Sequence, residues 1–263
     1  MRRGNLFWGL ILILLGVLFF LQASRIITDV LGWFWPLAIL LLGLWLLASR
    51  FLPGNSAGGE TFSIDLQGAA RLNLELDHGA GSVFIGSGTP AGVAVTGSQG
   101  GGLEIKSART ADSLDVSLSA GPSFLPFIGP EGGEWRFNLN SEVPVSIKLD
   151  AGASSLNLDL TGLKLAFLGV ETGASSIKVK LPVAAGYSLV DIQAGAASID
   201  LTVPAGVGAR IRSEHGVSTV NIDTVRFPQM AGMPNFYQSL DYDSAPNKVE
   251  VNFEGGASSV NLR

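Results

Sequence analysis

The sequence predicts an all-β solenoid of stacked strand–turn–strand rungs, each about 21 residues long, preceded by an α-helical transmembrane hairpin. Three observations lead there. Two uncharged apolar segments lie near the N-terminus, a glycine-centred motif recurs at a period in the low twenties, and apolar residues alternate strictly on both sides of it.

The apolar segments come first. Leu6–Gln22 and Trp33–Ser49 contain no charged residue, and each is close to the short limit for a helix crossing the hydrocarbon. In lipid, a single exposed segment satisfies its backbone only as a helix. Residues 1–52 therefore read as a two-helix hairpin with spans 6–22 and 33–49, linked through Arg25 and Asp29. Trp8, Trp33, Trp35 and Trp45 suit interfacial depths, and Pro36 falls in a first helical turn, where its missing N–H costs little. Gly16 and Gly43 occupy matching places in the two segments, as a helix-packing site or as tolerated filler. A cleaved signal peptide is the competing reading of the first segment. Phe20-Leu21-Gln22-Ala23 offers no good small-x-small cleavage site, and a second span follows at once, so two retained spans are favoured. Arg2, Arg3 and Arg50 outweigh Arg25, which places both termini and the large domain in the cytoplasm.

After a flexible linker at 53–60, residues 61–263 form the β domain. Its motif is centred on Gly79, Gly152, Gly173, Gly195, Gly216 and Gly256. The steps from Gly152 to Gly173, Gly195 and Gly216 are 21, 22 and 21 residues. Apolar residues are locked to each glycine. Ile147 and Leu149 precede Gly152 while Leu156 and Leu158 follow it, and Leu168, Val170, Ile177 and Val179 repeat the arrangement around Gly173. Such a unit cannot bury its own apolar face, but stacked copies make a continuous core. Glycine at the centre suits a positive φ or a tight corner. Residues 144–225 read as four consecutive rungs, with the first and last copies set apart by insertions. Ser213 stands where the pattern expects an apolar residue. In-register stacking would align Asn157, Lys178 and Asp200, align Asp159, Lys180 and Thr202, and set Asp191 beside Arg212. The motif is degraded over 89–143, which fits irregular rungs or an antiparallel cap.

Composition excludes several function classes. The net charge is −5 and no basic cluster follows Arg50, which argues against a nucleic-acid surface. With no cysteine there are no disulfides, thiol nucleophiles or Cys-ligated zinc. No phosphate-loop or dinucleotide motif is present, and no cofactor is expected.

Two rows of side chains could carry chemistry. Ser82, Ser155, Ser176, Ser198, Thr219 and Ser259 follow the glycines by three, and one of them could be a nucleophile if a base stood near. The only histidines, His78 and His215, both directly precede a motif glycine, so a hydroxyl ladder supporting the corners is the favoured reading. The row Asp77, Asp150, Glu171, Gln193, Glu214 and Glu254 offers about one carboxylate per rung. Calcium needs six to eight converging oxygens, so solvated corner charges are favoured over a metal site. No catalytic, metal or cofactor residue is assigned. Two apolar insertions remain, 121–133 with Phe124 and Phe127, and 227–247 with Phe236 and Tyr237. They read either as contact loops on a rigid scaffold or as caps over the solenoid's open edges.

The pairing of Trp8-Gly9 and Gly16 with Trp35-Pro36-Leu37 and Gly43 resembles the LiaI/LiaF-type transmembrane region. The Gly-Ala-Ser-Ser motifs resemble the LiaF-type toast-rack β domain and adhesin-like repeat domains. The resemblance implies a bacterial, non-enzymatic membrane protein of the cell-envelope stress response, with a sensor histidine kinase as partner. A surface-exposed adhesin-like or structural envelope module is the alternative. The oligomeric state is not readable from the sequence.

Overall fold

The computed structural model describes residues 3–24, 29–30, 32, 34–40, 43, 60–99, 103–120, 134–215, 219–256 and 258–263. The chain divides into two compact units, Met1–Ala57 and Gly58–Arg263.

In the first unit, α1 runs Arg3–Ala23, and residues 34–40 are helical. The backbone of α1 covers the first expected span, but its side chains are described only from Ile11 onward. Among the described residues no helix is long and apolar enough to cross a membrane. Leu12, Ile13, Phe19 and Phe20 are exposed on α1, as are Trp35, Ile39 and Leu40 farther on. Among the described residues, nothing lies within 4 Å of a Cβ placed at Gly16 or Gly43.

Among the described residues the second unit is one 14-stranded sheet. Its spine is four long strands, β2 (Arg71–Ser87), β7 (Pro144–Asp159), β8 (Lys164–Lys180) and β9 (Tyr187–Thr202). They pair in parallel, β2 with β7, β7 with β8 and β8 with β9. Each strand runs unbroken through its motif glycine, which corrects the expected strand–turn–strand rung. In β7 the buried positions are Val145, Ile147, Leu149 and Ala151, then Ser154, Leu156 and Leu158. Between them Gly152 and Ala153 are two consecutive exposed positions, so the alternation changes phase there. The phase change turns the extended ribbon through a corner, and both arms of every rung face one core. That core is continuous from Leu72, Leu74 and Leu76 through Leu158 and Val179 to Val251 and Leu262.

The corner glycines are needed for close approach between rungs. Gly79, Gly152, Gly173, Gly195 and Gly256 are absent from the left-handed region. A Cβ at Gly152 would meet the Gly79 carbonyl oxygen at 2.5 Å. At Gly173 it would meet Gly152 O at 3.1 Å, at Gly195 it would meet Gly173 O at 2.9 Å, and at Gly256 it would meet Gly195 O at 2.9 Å. Gly216 lies outside the described residues.

The stacking order departs from chain order. Strands β13 (Lys248–Gly255) and β14 (Ser259–Leu262) form the last copy of the motif, which pairs directly with β9. Strands β10 (Gly208–His215) and β11 (Thr219–Ile222) then stack on that copy rather than on β9. The expected neighbours Asp191 and Arg212 are therefore separated by Asn252, whose Nδ2 donates to Asp191 Oδ1 at 2.8 Å. Ser213 is buried in register with Phe253, whose ring lies over Gly255, where a Cβ would meet it at 2.5 Å. The other expected rows are in register. Asn157, Lys178 and Asp200 align, as do Asp159, Lys180 and Thr202, with Lys180 Nζ 2.9 Å from Asp159 Oδ2.

Residues 89–143 supply both a rung and a cap. Strands β5 (Ser113–Ala120) and β6 (Glu134–Leu139) add in parallel to the two arms of β2. Antiparallel β4 (Leu103–Thr110) follows on β5, while β3 (Val93–Gln99) and β1 (Glu60–Asp65) follow on β6. Glu60, the last linker residue by sequence, already pairs with Gln99; the preceding linker residues lie outside the described residues.

The 227–247 insertion folds back at the other end. Phe227, Tyr242 and Ala245 are buried, and β12 (Phe236–Gln238) pairs antiparallel with β10. Tyr237 packs on the core, and the Arg212 guanidinium lies 5.8 Å from the Phe236 ring centre. The 121–133 insertion, with Phe124 and Phe127, lies outside the described residues.

Candidate functional site

Parallel stacking converts each repeat position into a column. The pre-glycine acidic positions align as Asp77, Asp150, Glu171, Gln193, Glu254 and Glu214, all exposed. Their side chains project outward from one arm beside the corner, about 4.8 Å apart per rung. Among the described residues no three His, Cys, Asp or Glu side chains are grouped to hold a metal ion.

A groove of about 550 Å³ runs beside the column, lined by Glu75, Asp77, Asp150, Glu171, Asp191 and Phe167 among others. A neighbouring depression of about 610 Å³ shares Glu75, Lys148, Ser117 and Phe167 with it. Phe167 thus stands between the two. It reaches the outer face because β8 carries a bulge. Val145 pairs with Leu165, but the next residue, Ser146, pairs with Phe167, so Ala166 is the extra residue. A bulge of this kind re-aims a side chain. Gly169 makes room for the ring, since a Cβ there would lie 3.0 Å from it. The result is an aromatic platform bordered by carboxylates. Among the described residues, Lys148 and Lys106 are the cations lining these depressions. Sequence reasoning missed Phe167. The available signal was the phase break from Leu165 to Leu168, which strict alternation does not allow.

The expected hydroxyl row is in register. Ser82, Ser155, Ser176, Ser198, Ser259 and Thr219 pair successively. However, its members from Ser155 onward are exposed, and corner support falls to the preceding position. The Ser154 N–H donates to Ser175 Oγ at 3.2 Å, Ser175 Oγ bonds Thr172 Oγ1, and the Ala197 N–H donates to Ser258 Oγ at 3.4 Å.

His78 is buried in the position that later rungs give to Ala151, Thr172 and Ala194. Its ring lies 4.4 Å from that of Trp135, and among the described residues neither ring nitrogen has a hydrogen-bond partner. Burial pushes its pKa down, opposed in part by Asp77. Among the described residues no serine hydroxyl is hydrogen-bonded to this imidazole. The His215 side chain lies outside the described residues.

The model of the N-terminal domain of toast_rack, DUF2154, matches residues 52–202, ending with β9. A solved structure of a candidate cell adhesion protein from Clostridium sporogenes ATCC 15579 superposes with a TM-score of 0.70. It is 24% identical, over 77% of this chain and 97% of that one, a likeness of fold alone. A candidate adhesin from Bacteroides fragilis NCTC 9343 is 9% identical over 78% of this chain and 96% of that one, and its TM-score of 0.28 carries no argument. Comparison with curated proteins yields no match.

Proposed function

Given that the chain belongs to the family of the toast-rack N-terminal domain, we propose that it is a membrane-anchored, non-catalytic binding scaffold. On this reading it acts as a regulator in the bacterial cell-envelope stress response. The observation that carries the binding role is the acidic groove around Phe167. A rigid stacked face with an aromatic platform and carboxylates on both sides suits a basic protein segment: the ring packs against aliphatic stems and the carboxylates meet the cationic heads. A sensor histidine kinase with a basic juxtamembrane segment is the partner this reading favours.

The bilayer anchor is the N-terminal hairpin, spans 6–22 and 33–49. Its support is the apolar sequence together with exposed side chains such as Leu12 (68%) and Phe20 (71%), which water solvates poorly. Flanking arginines favour a cytoplasmic β domain.

The test is a photo-crosslinking amino acid placed at Phe167, with Asn157 on the other outer face as control. The proposal expects one membrane protein to be captured at Phe167 and not at Asn157, with the β domain protected from protease in intact cells. Equal labelling at both positions would remove the groove as the contact face. Digestion in intact cells would instead favour an adhesin-like surface module, the reading to which the likeness of fold lends weight.

A further inference from the structure

Strand β4 sits at the end of one arm and, among the described residues, pairs with β5 alone. Its outer edge, from Glu104 to Thr110, pairs with no other described strand. Every residue of that stretch is exposed, while the neighbouring β5 buries Leu114, Val116 and Leu118. An exposed edge of this length is a template for another strand unless it is blunted by charged side chains, proline, a bulge or a cover, and charges blunt it only against a partner that does not match them. The edge here carries opposite charges, with Lys106 Nζ 3.0 Å from Glu104 Oε1 on the same face. Arg109 is turned back onto its own chain, donating from Nη1 to the Gln67 carbonyl at 2.6 Å.

We propose that this edge of β4 is a self-pairing interface, to which a second copy of this chain adds its own β4 antiparallel, centred on Ile105. The register follows from geometry and charge. A two-fold pairing that continues the sheet sets residues of the same face opposite one another, so it must centre on a residue. Centring on Lys106 puts two lysines face to face, and centring on Glu104 does the same with two glutamates. Centring on Ser107 leaves both charges opposite neutral residues. Centring on Ile105 sets Glu104 against the partner's Lys106, and Lys106 against the partner's Glu104, on one face. On the other face the two Ile105 side chains, each 37% exposed, cover one another. Cross-strand pairs of opposite charge favour this register, and like charges disfavour the alternatives. The occupant argued for is a second copy because the edge complements itself.

The chain has no cysteine, so a single introduced thiol reports the contact cleanly. The full chain in detergent would be oxidised as Ile105→Cys and, separately, as Ser107→Cys. In the first variant the two introduced thiols face each other and would form a covalent dimer. In the second they would be about 13 Å apart along the strands, beyond the reach of a disulfide. In the Ile105→Cys background, Glu104→Lys or Lys106→Glu alone should cut dimer yield about fivefold or more, and the two together should restore it. Absence of dimer with Ile105→Cys, equal yields at both positions, or failure of the double charge exchange to restore pairing would each overturn the proposal.

Discussion

Replacing Gly152 by alanine tests whether the corner glycine serves stacking. A Cβ at Gly152 would sit 2.5 Å from the Gly79 carbonyl oxygen, a backbone atom of the neighbouring rung. Restoring ordinary contact requires roughly 0.7–1 Å of added separation between strands that stack about 4.8 Å apart. Overpacking of that kind costs about 1–3 kcal/mol. For a domain of this size each kcal/mol moves the melting temperature by roughly 2–4 °C. Gly79→Ala is the matched control. It has the same motif position and no positive φ, but among the described residues nothing lies within 4 Å of its Cβ. There the loss of unfolded-chain entropy should stabilise by about 0.4–1 kcal/mol. The two identical substitutions should therefore have opposite signs, with Gly173→Ala, at 3.1 Å, milder than Gly152→Ala. Thermal melts of the full chain in detergent, followed by circular dichroism, read the difference. If Gly79→Ala loses as much as Gly152→Ala, the glycine is a conformational requirement of the corner and the stacking argument fails.

Other outcomes follow from the same structure. His78 is neutral and buried, its folded pKa lies below its unfolded value of about 6.5, and the unfolded chain therefore binds more protons as pH falls below that value; urea midpoints should drop in that window, and less so in His78→Phe. Tyr187, donating to Glu250 at 2.8 Å, is pushed up to about 12, so ultraviolet titration should show a late tyrosinate that moves to lower pH in Glu250→Gln. Leu158→Ala, at a fully buried position, should cost about 2–5 kcal/mol in urea unfolding. Lys180→Ala breaks an exposed pair with Asp159 and should cost under about 1 kcal/mol in the same assay.

Much of the fold was legible because it is local. Alternation at Leu149, Leu156 and Leu158 depends only on which face of a ribbon each side chain takes, and a one-residue slip would expose the whole set. The glycine period likewise gave the rung length, and the stacked rows of Lys178 and Lys180 followed from it. The candidate groove was not legible. Phe167 faces outward only through a bulge, and a bulge depends on what the neighbouring strand accepts. The hydroxyl support was displaced by one position, from Ser176 to Ser175, because the phase change at Gly173 and Ala174 decides which serine turns inward.

The sequence by itself determined an all-β stack and the inward face of the arms that flank the motif glycines. Only the tertiary structure decided which rung lies beside which. Repeats that share one ladder pattern and one glycine corner can pair in several orders with nearly the same backbone hydrogen bonding. The choice falls to side chains at the contact, where Asn252 takes the place between Asp191 and Arg212, and Phe253 stands between Ile192 and Ser213. Those complementarities exist between strands distant in the chain, so no local pattern contains them.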